Sequence, residues 1–271
     1  MLIDTSPYRV RPGSAVDLSV INPADTGSFV GGKEEGRALR RLMTARLSEL
    51  QEKFYADGSH RLLVVLQATD TGGKDGTIKK VFRGVNPAGV RVASFKRPTH
   101  HELARDYLWR VHAQVPADGE ITIFNRSHYE DVLVVRVHEL VDENLWSRRY
   151  SHINDFERLL ADEGTTIVKI YLHISRDEQR RRLQARLDDP AKHWKFNVGD
   201  LEDRKQWDAF QQAFTDMLER TSQDHAPWYV VPANRKWYRD LVVSSILLET
   251  LGSLDLQYPP NDADLASIVI P

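Results

Sequence analysis

Residues 62–79 read Leu62-Leu-Val-Val-Leu-Gln-Ala-Thr-Asp-Thr-Gly-Gly-Lys-Asp-Gly-Thr-Ile-Lys79, and they carry the strongest signal for the fold in this sequence. Five consecutive apolar residues are typical of a strand that is buried on both faces of a parallel sheet. A turn of small and polar residues follows, and then a pattern that suits a helix. A glycine-containing loop between a buried strand and a helix N-terminus commonly holds phosphate, because the first amides of a helix have no partner within it. The stretch therefore predicts a phosphate site.

The composition limits the class of protein. The chain has 271 residues, of which 41% are hydrophobic, enough for one α/β domain of ordinary size. It has no cysteine, which excludes disulfides, thiolate metal sites and thiol catalysis. We see no signal-peptide pattern, and the apolar runs fall far short of the roughly 20 residues of a membrane helix. We therefore expect a cytoplasmic protein without a membrane segment. The net charge of −2 says nothing about partners, but two local positive segments, described below, favour a focused anion site over nucleic-acid binding.

Predicted strands and helices alternate along the chain, which favours a parallel sheet covered on both faces, a three-layer α/β sandwich. Residues 1–32 are predicted to be an irregular arm on the domain or on a partner subunit, and residues 33–271 a single domain. Capping-box patterns begin at Thr99, Ser127 and Ser175. The predicted strands are 61–67, 89–95, 120–124, 165–174 and 228–231, and the predicted helices cover about 33–56, 74–83, 99–113, 127–140, 153–160, 175–189, 201–220 and 236–254.

The loop at residues 68–75 fits the P-loop template G-x-x-x-x-G-K-[ST] only in part, since Ala68 replaces the first glycine and Asp75 the Ser/Thr. A plain strand-to-helix turn would also explain its glycines. As a phosphate loop, it would neutralise charge with Lys74, and Asp70 would be the candidate magnesium ligand, because the usual hydroxyl is absent. The backbone amides expected to cradle phosphate oxygens belong to the segment Thr71, Gly72, Gly73, Lys74, Asp75 and Gly76.

A second polar group, Asn125-Arg126-Ser127, ends another predicted strand, where ligands bind in open α/β sheets. Asn125 would orient a magnesium-bound water, and Arg126 would clamp a phosphate through two hydrogen bonds. Glu130 is a further binding candidate. A capping box alone would equally explain Ser127 and Glu130.

Positive charge is concentrated in two segments. Residues 74–97 hold seven basic residues against one acidic residue, and residues 180–195 hold six against two. The second segment, with the helix before it and the irregular chain after it, predicts a phosphate-clamping lid at about 176–205, although a solvated basic face would look the same. Arg186, Lys192 and Lys195 are the better lid candidates, because residues 180–182 point in different directions around a helix.

Four motifs together resemble the family-2 polyphosphate kinases, in order along nearly the whole chain. They are Gln67-Ala-Thr-Asp-Thr-Gly-Gly-Lys-Asp-Gly76, Phe124-Asn-Arg-Ser-His-Tyr-Glu-Asp131, Leu187-Asp-Asp-Pro-Ala-Lys-His-Trp-Lys-Phe196 and Ala226-Pro-Trp-Tyr229. The resemblance implies a P-loop kinase fold with a helical lid. It also implies transfer of phosphate, dependent on Mg²⁺ with Mn²⁺ as the alternative metal, between inorganic polyphosphate and adenine or guanine nucleotides.

The resemblance also assigns roles to residues. Asp70 and Lys74 match the Walker A acid and lysine of the family, Arg126 matches its Walker B-like arginine, and the three lid candidates fall in its lid region. Many members have Asp where this chain has Asn125; the Asn form resembles the subgroup that accepts AMP as well as ADP, and leaves Asp70 as the main metal ligand. Members are often dimers or tetramers, so we expect a homo-oligomer.

A polyanionic donor needs a positive path to the loop, and we predict this polyphosphate track at Lys79, Lys80 and Arg83, on the helix after the loop. Two alternatives remain open at this point. One is a nucleoside-monophosphate kinase that uses ATP as donor, and the other is a non-catalytic regulator that binds nucleotide or polyphosphate.

Overall fold

Five parallel strands form one sheet in the computed structural model, which describes residues 2–27, 29–261 and 270. The order across the sheet is β2-β3-β1-β4-β5. The parallel α/β class predicted above is confirmed, whereas the C-terminal part of the predicted domain, at 262–269 and 271, lies outside the described residues. The strands are β1 Arg61–Gln67, β2 Val90–Ser94, β3 Ile121–Asn125, β4 Thr165–His173 and β5 Trp228–Pro232.

Ten helices are present in the described part of the chain. They are α1 Lys33–Asp57, α2 Lys74–Val81, α3 His100–Leu103, α4 Trp109–His112, α5 Glu130–Val137, α6 Glu143–Asp162, α7 Arg176–Leu187, α8 Gly199–Lys205, α9 Trp207–Thr221 and α10 Lys236–Gly252. None of the helices among these residues is long and apolar enough to cross a membrane.

The central strand β1 is buried on both faces, as its unbroken apolar run predicts. Leu62, Val64 and Leu66 join a core formed with α1, α2 and α10. Leu63 and Val65 join a second core, formed with α5, α6 and α9. The loop after β1 therefore lies at the boundary between two helical layers, and can be reached from either face of the sheet.

The helices predicted at 153–160 and at 99–113 were wrong in extent. The helix predicted at 153–160 begins at Glu143, because the Asp142 carboxylate accepts a hydrogen bond from the Asn144 amide at 2.8 Å and caps it. The helix predicted at 99–113 is two short helices, α3 and α4. The capping box of Thr99 is present, but the Asp106 carboxylate accepts from the Leu108 amide at 3.0 Å, and this turn interrupts the helix.

The predicted capping box at Ser127 is absent. Its hydroxyl accepts hydrogen bonds from the Gln67 side chain and the Tyr129 amide, so α5 begins only at Glu130 and ends at Val137. The box at Ser175 is half formed, because Ser175 accepts from the Glu178 amide at 3.1 Å while the Glu178 carboxylate pairs with arginines. The helix predicted at 201–220 breaks at Gln206 into α8 and α9, which lets α8 face the phosphate loop while Trp207 is buried.

The N-terminal arm lies along the open edge of β5 in this chain. The Val10 amide donates to the Trp228 carbonyl at 2.9 Å, and His173 in β4 contacts the Ile21 carbonyl at 3.1 Å. Trp228 is fully buried in the second core. Covering β5 with an arm satisfies backbone groups that an exposed edge strand would leave free.

The contact between α1 and α10 positions the surface beside the phosphate loop, and it depends on Gly36. A Cβ atom at Gly36 would lie 2.3 Å from Cε3 of Trp237, which is too close for any real contact. We predict that Gly36→Ala lowers the free energy of unfolding by about 1–3 kcal/mol through overpacking, despite the better helix propensity of alanine.

The matched control is Gly252→Ala, at the last residue of α10, where no atom lies within 4 Å of the added Cβ. This variant should be neutral or gain up to roughly 1 kcal/mol. Urea denaturation of the two variants checks the prediction, and equal stability of both would contradict it.

Candidate active site

The loop between β1 and α2 has a backbone that its glycines make possible. Gly73 has φ 112°, in the left-handed region, and Thr71 also has a positive φ of 59°. At Gly72 the backbone is ordinary, but a Cβ atom would lie 2.4 Å from the Cβ of Ala68. Gly73 is therefore required by its backbone conformation, and Gly72 by the lack of space for a side chain.

Two buried arginines hold the loop from outside through its carbonyl groups. Arg182 in α7 donates through Nη1 to the carbonyls of Thr71 and Gly72, at 3.0 and 2.8 Å. Arg239 in α10 donates to the Gly73 carbonyl at 3.3 Å. Three consecutive carbonyls thus point toward cations contributed by distant elements, which leaves the amide side of the loop available to an anion.

The amide side of the loop continues into the first turn of α2. The amides of residues 74–76 have no partner within the helix, since the first intrahelical bond runs from the Thr77 amide to the Gly73 carbonyl. The Lys74 ammonium donates to the Ala68 carbonyl at 3.1 Å and so lies across the mouth of the loop. Burial lowers the pKa of Lys74, and the nearby charge of Arg126 lowers it further.

The end of β3 places Arg126 beside the loop. Leu66 and Asn125 are partners in the parallel register of β1 and β3, so the residues that follow them meet at one edge. Arg126 donates to the Asp70 carboxylate at 2.8 Å and to Glu130 at 3.4 Å, and its backbone has φ 62°, an uncommon conformation for a residue with a side chain. The structure therefore brings Asp70, Lys74, Arg126 and Glu130 together, as the sequence predicts.

Asp75 occupies the Ser/Thr position of the P-loop template, and its contacts show why an acidic residue fits there. Its carboxylate is turned away from the loop and accepts hydrogen bonds from Asn125 at 2.9 Å and from Lys195 at 3.3 Å. Lys195 ends a short 3-10 helix, Pro190–Lys195, which lies within the predicted lid where the sequence analysis expected irregular chain. Asp75 and Asn125 therefore connect the end of β3 to the lid.

The other lid candidates do not reach the loop. Arg186 donates to the Lys195 carbonyl at 3.0 Å and pairs with Asp200 at 3.2 Å, so it braces the lid segment internally. Lys192 pairs with its neighbour Asp189 at 2.5 Å. Among residues 180–182, ranked lower from the sequence, Arg182 is the one in direct contact with the loop.

Helix α8 adds acidic groups that the sequence reading missed. Asp203 pairs with Nε2 of His138 at 2.8 Å, and its carboxyl group lies close to Asp70. Burial, and after it the neighbouring Asp70 carboxyl group, raise the pKa of Asp203 to about 6. The pKa of Asp200 is also raised to about 6, chiefly by burial and then by the charge of Asp70. Both groups therefore lie where burial and a nearby negative charge disfavour the ionised carboxylate.

This donor set fits a divalent cation of the Mg²⁺ type when phosphate is also bound. Within the described residues no group of three or more His, Cys, Asp or Glu side chains is placed to hold a metal ion. Mg²⁺ is usually held by one or two carboxylates together with waters and phosphate oxygens. Asp70 and Asp203 supply such a pair, because both line the cavity beside the loop and a cation between two neighbouring carboxylates would relieve their repulsion.

A broad basic groove opens on the α1 and α10 side of the loop. It has a volume of about 690 Å³, and its only carboxylate, Asp240, pairs with Arg239 at 2.5 Å. Asn234 is one of the residues that line the groove, and Arg182 donates to its carbonyl and to that of Ala233. The cations that line the groove are Lys33, Arg37, Arg40, Lys80, Arg235 and Lys236. Of the three residues predicted for a polyphosphate track, the lining includes Lys80 but neither Lys79 nor Arg83.

A second cavity lies on the other face of the sheet. Its polar wall is formed by Asp70, Arg126 and Glu130, and its apolar wall includes Trp207 and Phe210 from α9. Its free volume is about 30 Å³, room for a water molecule but far less than the roughly 300–1,000 Å³ of a typical ligand site. The loop therefore separates a basic groove from a mixed polar and aromatic cavity.

Four arginine and aspartate residues of the site were missed from the sequence, and a signal existed for three of them. Arg239-Asp240 interrupts an otherwise apolar helix, which is a pattern that demands a buried pair. Asp203 belongs to a short acidic run that follows the basic segment 180–195. No local pattern distinguished Arg182 from the neighbouring arginines.

The family model described as "Polyphosphate kinase 2 (PPK2)" matches residues 31–259 of the chain. An AMP/ADP-polyphosphate phosphotransferase of Meiothermus ruber is 59% identical over 263 residues, covering 97% of this chain and 98% of that protein. An ADP-polyphosphate phosphotransferase of Rhodopseudomonas palustris is 43% identical and covers 96% of this chain and 93% of its own length.

The crystal structure of polyphosphate kinase 2 from Arthrobacter aurescens TC1 superimposes with a TM-score of 0.91 at 49% identity, over 95% of this chain and 92% of that one. The match of the family model covers both polar groups of the site, the lid and α10. The chain belongs to the polyphosphate kinase 2 family and is a phosphotransferase.

Proposed function

We propose that the protein transfers the terminal phosphate of inorganic polyphosphate to nucleoside mono- and diphosphates, converting AMP to ADP and ADP to ATP, in a reversible reaction. The observation that carries this proposal is the basic groove, whose lining includes Asn234 and Asp240, which are bonded to the two arginines that hold the phosphate loop. A groove lined by six cations and one paired carboxylate suits a long polyanion. The relatives named as AMP/ADP- and ADP-polyphosphate phosphotransferases support the same acceptors.

The donor would bind with its terminal phosphate in the loop and its remaining length in the groove. The amides of Thr71, Gly73, Lys74, Asp75 and Gly76 are the candidate cradle for that phosphate. The Gly72 amide, also predicted to belong to it, already donates to the Thr69 carbonyl at 2.9 Å. Lys74 would neutralise charge on the transferred group, because its ammonium already lies across the mouth of the loop. Of the predicted track, Lys80 is retained, while Lys79 and Arg83 remain predictions that the experiment below separates from the groove.

The acceptor nucleotide would approach from the opposite face, beside Asp70 and Arg126, where the small cavity has to widen to admit it. Its phosphate oxygen is already an anion at neutral pH, so the transfer needs alignment and charge neutralisation more than a strong base. Arg126 would bind the acceptor phosphate, and Glu130 would keep the guanidinium oriented toward it. Lys195 would close the lid over the bound phosphates by exchanging Asp75 for them.

Asp70 and Asp203 would hold Mg²⁺, or Mn²⁺ as the alternative, together with phosphate oxygens. When bound, this cation would withdraw negative charge from the phosphates between which the group moves. Asn125 would orient a water of the cation through its amide, while Asp75 fixes the position of that amide at 2.9 Å. We further expect a cytoplasmic homo-oligomer, a dimer or a tetramer, that uses adenine or guanine nucleotides.

One assay separates this function from the two alternatives. Purified protein with AMP, Mg²⁺ and polyphosphate, but without ATP, should form ADP and then ATP. An AMP kinase that uses ATP as donor would form ADP only when ATP replaces polyphosphate. Asp70→Asn should lower kcat by roughly 100-fold or more while keeping the melting temperature, because it removes charge from the reacting centre. A wild type that binds polyphosphate without turnover would support the regulator instead.

The role of the groove is tested by removing two positive charges, either from the groove or from α2 outside it. Arg37→Gln with Arg40→Gln should raise KM for long polyphosphate at least fivefold, and less for tripolyphosphate, because a short chain does not reach these residues. KM for AMP should stay within twofold. The matched control, Lys79→Gln with Arg83→Gln, should leave KM for polyphosphate near wild type. If the control variant shows the larger increase, the donor follows α2 and the groove assignment is wrong.

The contact between Arg182 and the loop carbonyls is tested by substituting Arg182 and, separately, its neighbour Arg181. Arg182→Gln removes the donor for the Thr71 and Gly72 carbonyls and should cost about 2–4 kcal/mol of stability and weaken binding of tripolyphosphate at least tenfold. Arg181→Gln should change stability by less than about 0.5 kcal/mol, since that side chain is 71% exposed. Denaturation and calorimetric titration with tripolyphosphate measure both effects. Equal binding by the two variants would contradict the role given to Arg182.

A further inference from the structure

A fully buried group of charged side chains lies beneath the loop that carries Arg126. Lys169 in β4 donates to Glu157 in α6 at 2.5 Å, and both side chains are completely inaccessible to solvent. Lys169 also donates to the Thr221 carbonyl at 2.6 Å and to the Tyr129 hydroxyl at 2.8 Å. Strand β4, helices α6 and α9 and the loop after β3 therefore meet at one ammonium group.

Glu157 connects this group to the two residues that follow Arg126-Ser127. Its Oε1 accepts a hydrogen bond from the Tyr129 hydroxyl at 2.7 Å and lies 3.2 Å from Nε2 of His128. The other ring nitrogen of His128 is buried without a hydrogen-bond partner, so Glu157 is the partner that orients the imidazole. Burial works against the charged form of Glu157, but attraction to Lys169 and the contact with His128 hold its pKa below the usual value.

Stability alone does not account for such a group. Removing two charges from water costs several kcal/mol each, and well-packed apolar residues of similar size often serve a core equally well or better. What a buried polar group adds is a single permitted arrangement, because any displacement leaves a charge unpaired. The segment held in this way is the one that needs it, since the Arg126 backbone occupies a region that costs roughly 1 kcal/mol or more.

Other contacts hold the same segment at its opposite end. The Arg126 amide donates to the Leu66 carbonyl at 3.2 Å, and Gln67 donates to the Ser127 hydroxyl at 3.1 Å. Both partners belong to β1, directly before the phosphate loop. The segment that carries Arg126 is thus held by hydrogen bonds to β1 on one side and to the Glu157–Lys169 pair on the other.

We propose that Glu157 and Lys169 are positioning residues for Arg126, which keep its guanidinium aligned with Asp70 and the reacting phosphates through His128 and Tyr129. This inference rests on the proposed function for its kinetic consequence and on the contacts above for its structural one. Neither side chain touches the site, so their effect should appear in turnover more than in substrate binding.

The main experiment replaces both charges at once, with Glu157→Gln and Lys169→Met in one chain. Removing the pair together avoids an isolated buried charge. We expect kcat to fall about 10- to 100-fold, as small misalignments do, while KM for polyphosphate and for AMP changes less than threefold. In an Arg126→Ala background the same double substitution should change the remaining kcat less than twofold, because the residue it positions is gone. An equal loss of kcat in both backgrounds would overturn the proposal.

The matched control is a second ion pair, Arg91 with Glu120, which lies 2.5 Å apart at the amino-terminal end of β2 and β3. Arg91→Met with Glu120→Gln should lower stability and leave kcat within twofold at a temperature where both proteins are folded. If the main variant does not fold, Tyr129→Phe removes one link and leaves the Glu157–Lys169 contact intact. That single change should lower kcat at least threefold with KM unchanged, and an unchanged kcat would overturn the proposal.

A measurement without turnover separates this inference from the proposed function. The Nε–H resonance of Arg126 can be identified in an ¹⁵N-labelled protein by its loss in Arg126→Lys. It should shift or broaden in the Glu157→Gln/Lys169→Met variant and stay in place in the Arg91/Glu120 control. If polyphosphate is not a donor, only the proposed function fails, while an unmoved resonance in the main variant overturns the positioning role.

Discussion

The carbonyl groups of the phosphate loop are held by cations, and the rest of the site depends on this contact. Arg182 and Arg239 come from the lid helix and from the last helix, more than fifty residues apart in the chain. By binding the outer side of the loop they present its amides inward, and they place positive charge behind any bound phosphate. Because Arg182 is itself part of α7, the base of the lid and the loop cannot move independently of each other.

The topology of the sheet gives the two substrates separate approaches. Strand β1 is central, and its side chains alternate between two cores, so its carboxyl end opens toward both helical layers. On one side α1 and α10 contribute cations, and on the other α5 and α9 contribute aromatic and acidic side chains. A polymeric donor and a nucleotide acceptor could thus meet at one loop without competing for one surface.

Much of this arrangement could be predicted from the sequence, and what could not has physical reasons. The apolar run of β1 and the alternation of elements predicted the parallel sheet, because burial on both faces leaves an unmistakable pattern. Asp70, Lys74 and Arg126 could be located because they end predicted strands that share an edge. The contacts of Arg182 with the loop, the proximity of Asp70 and Asp203, and the groove could not be predicted, since each joins elements distant in the sequence. The capping box at Ser127 was wrong for a similar reason, because the hydroxyl is held by Gln67 across the sheet.

Asp75 shows how one departure from a motif requires others. A carboxylate at the usual Ser/Thr position would repel a phosphate in the loop if it faced inward. Here it faces outward, where Asn125 and Lys195 share its charge, and 65% of its side chain is exposed. An acidic residue at position 125 would place two carboxylates in contact at this point. The neutral Asn125 is therefore the chemically consistent partner of Asp75, and this leaves Asp70 and Asp203 as the carboxylates that we propose for the cation.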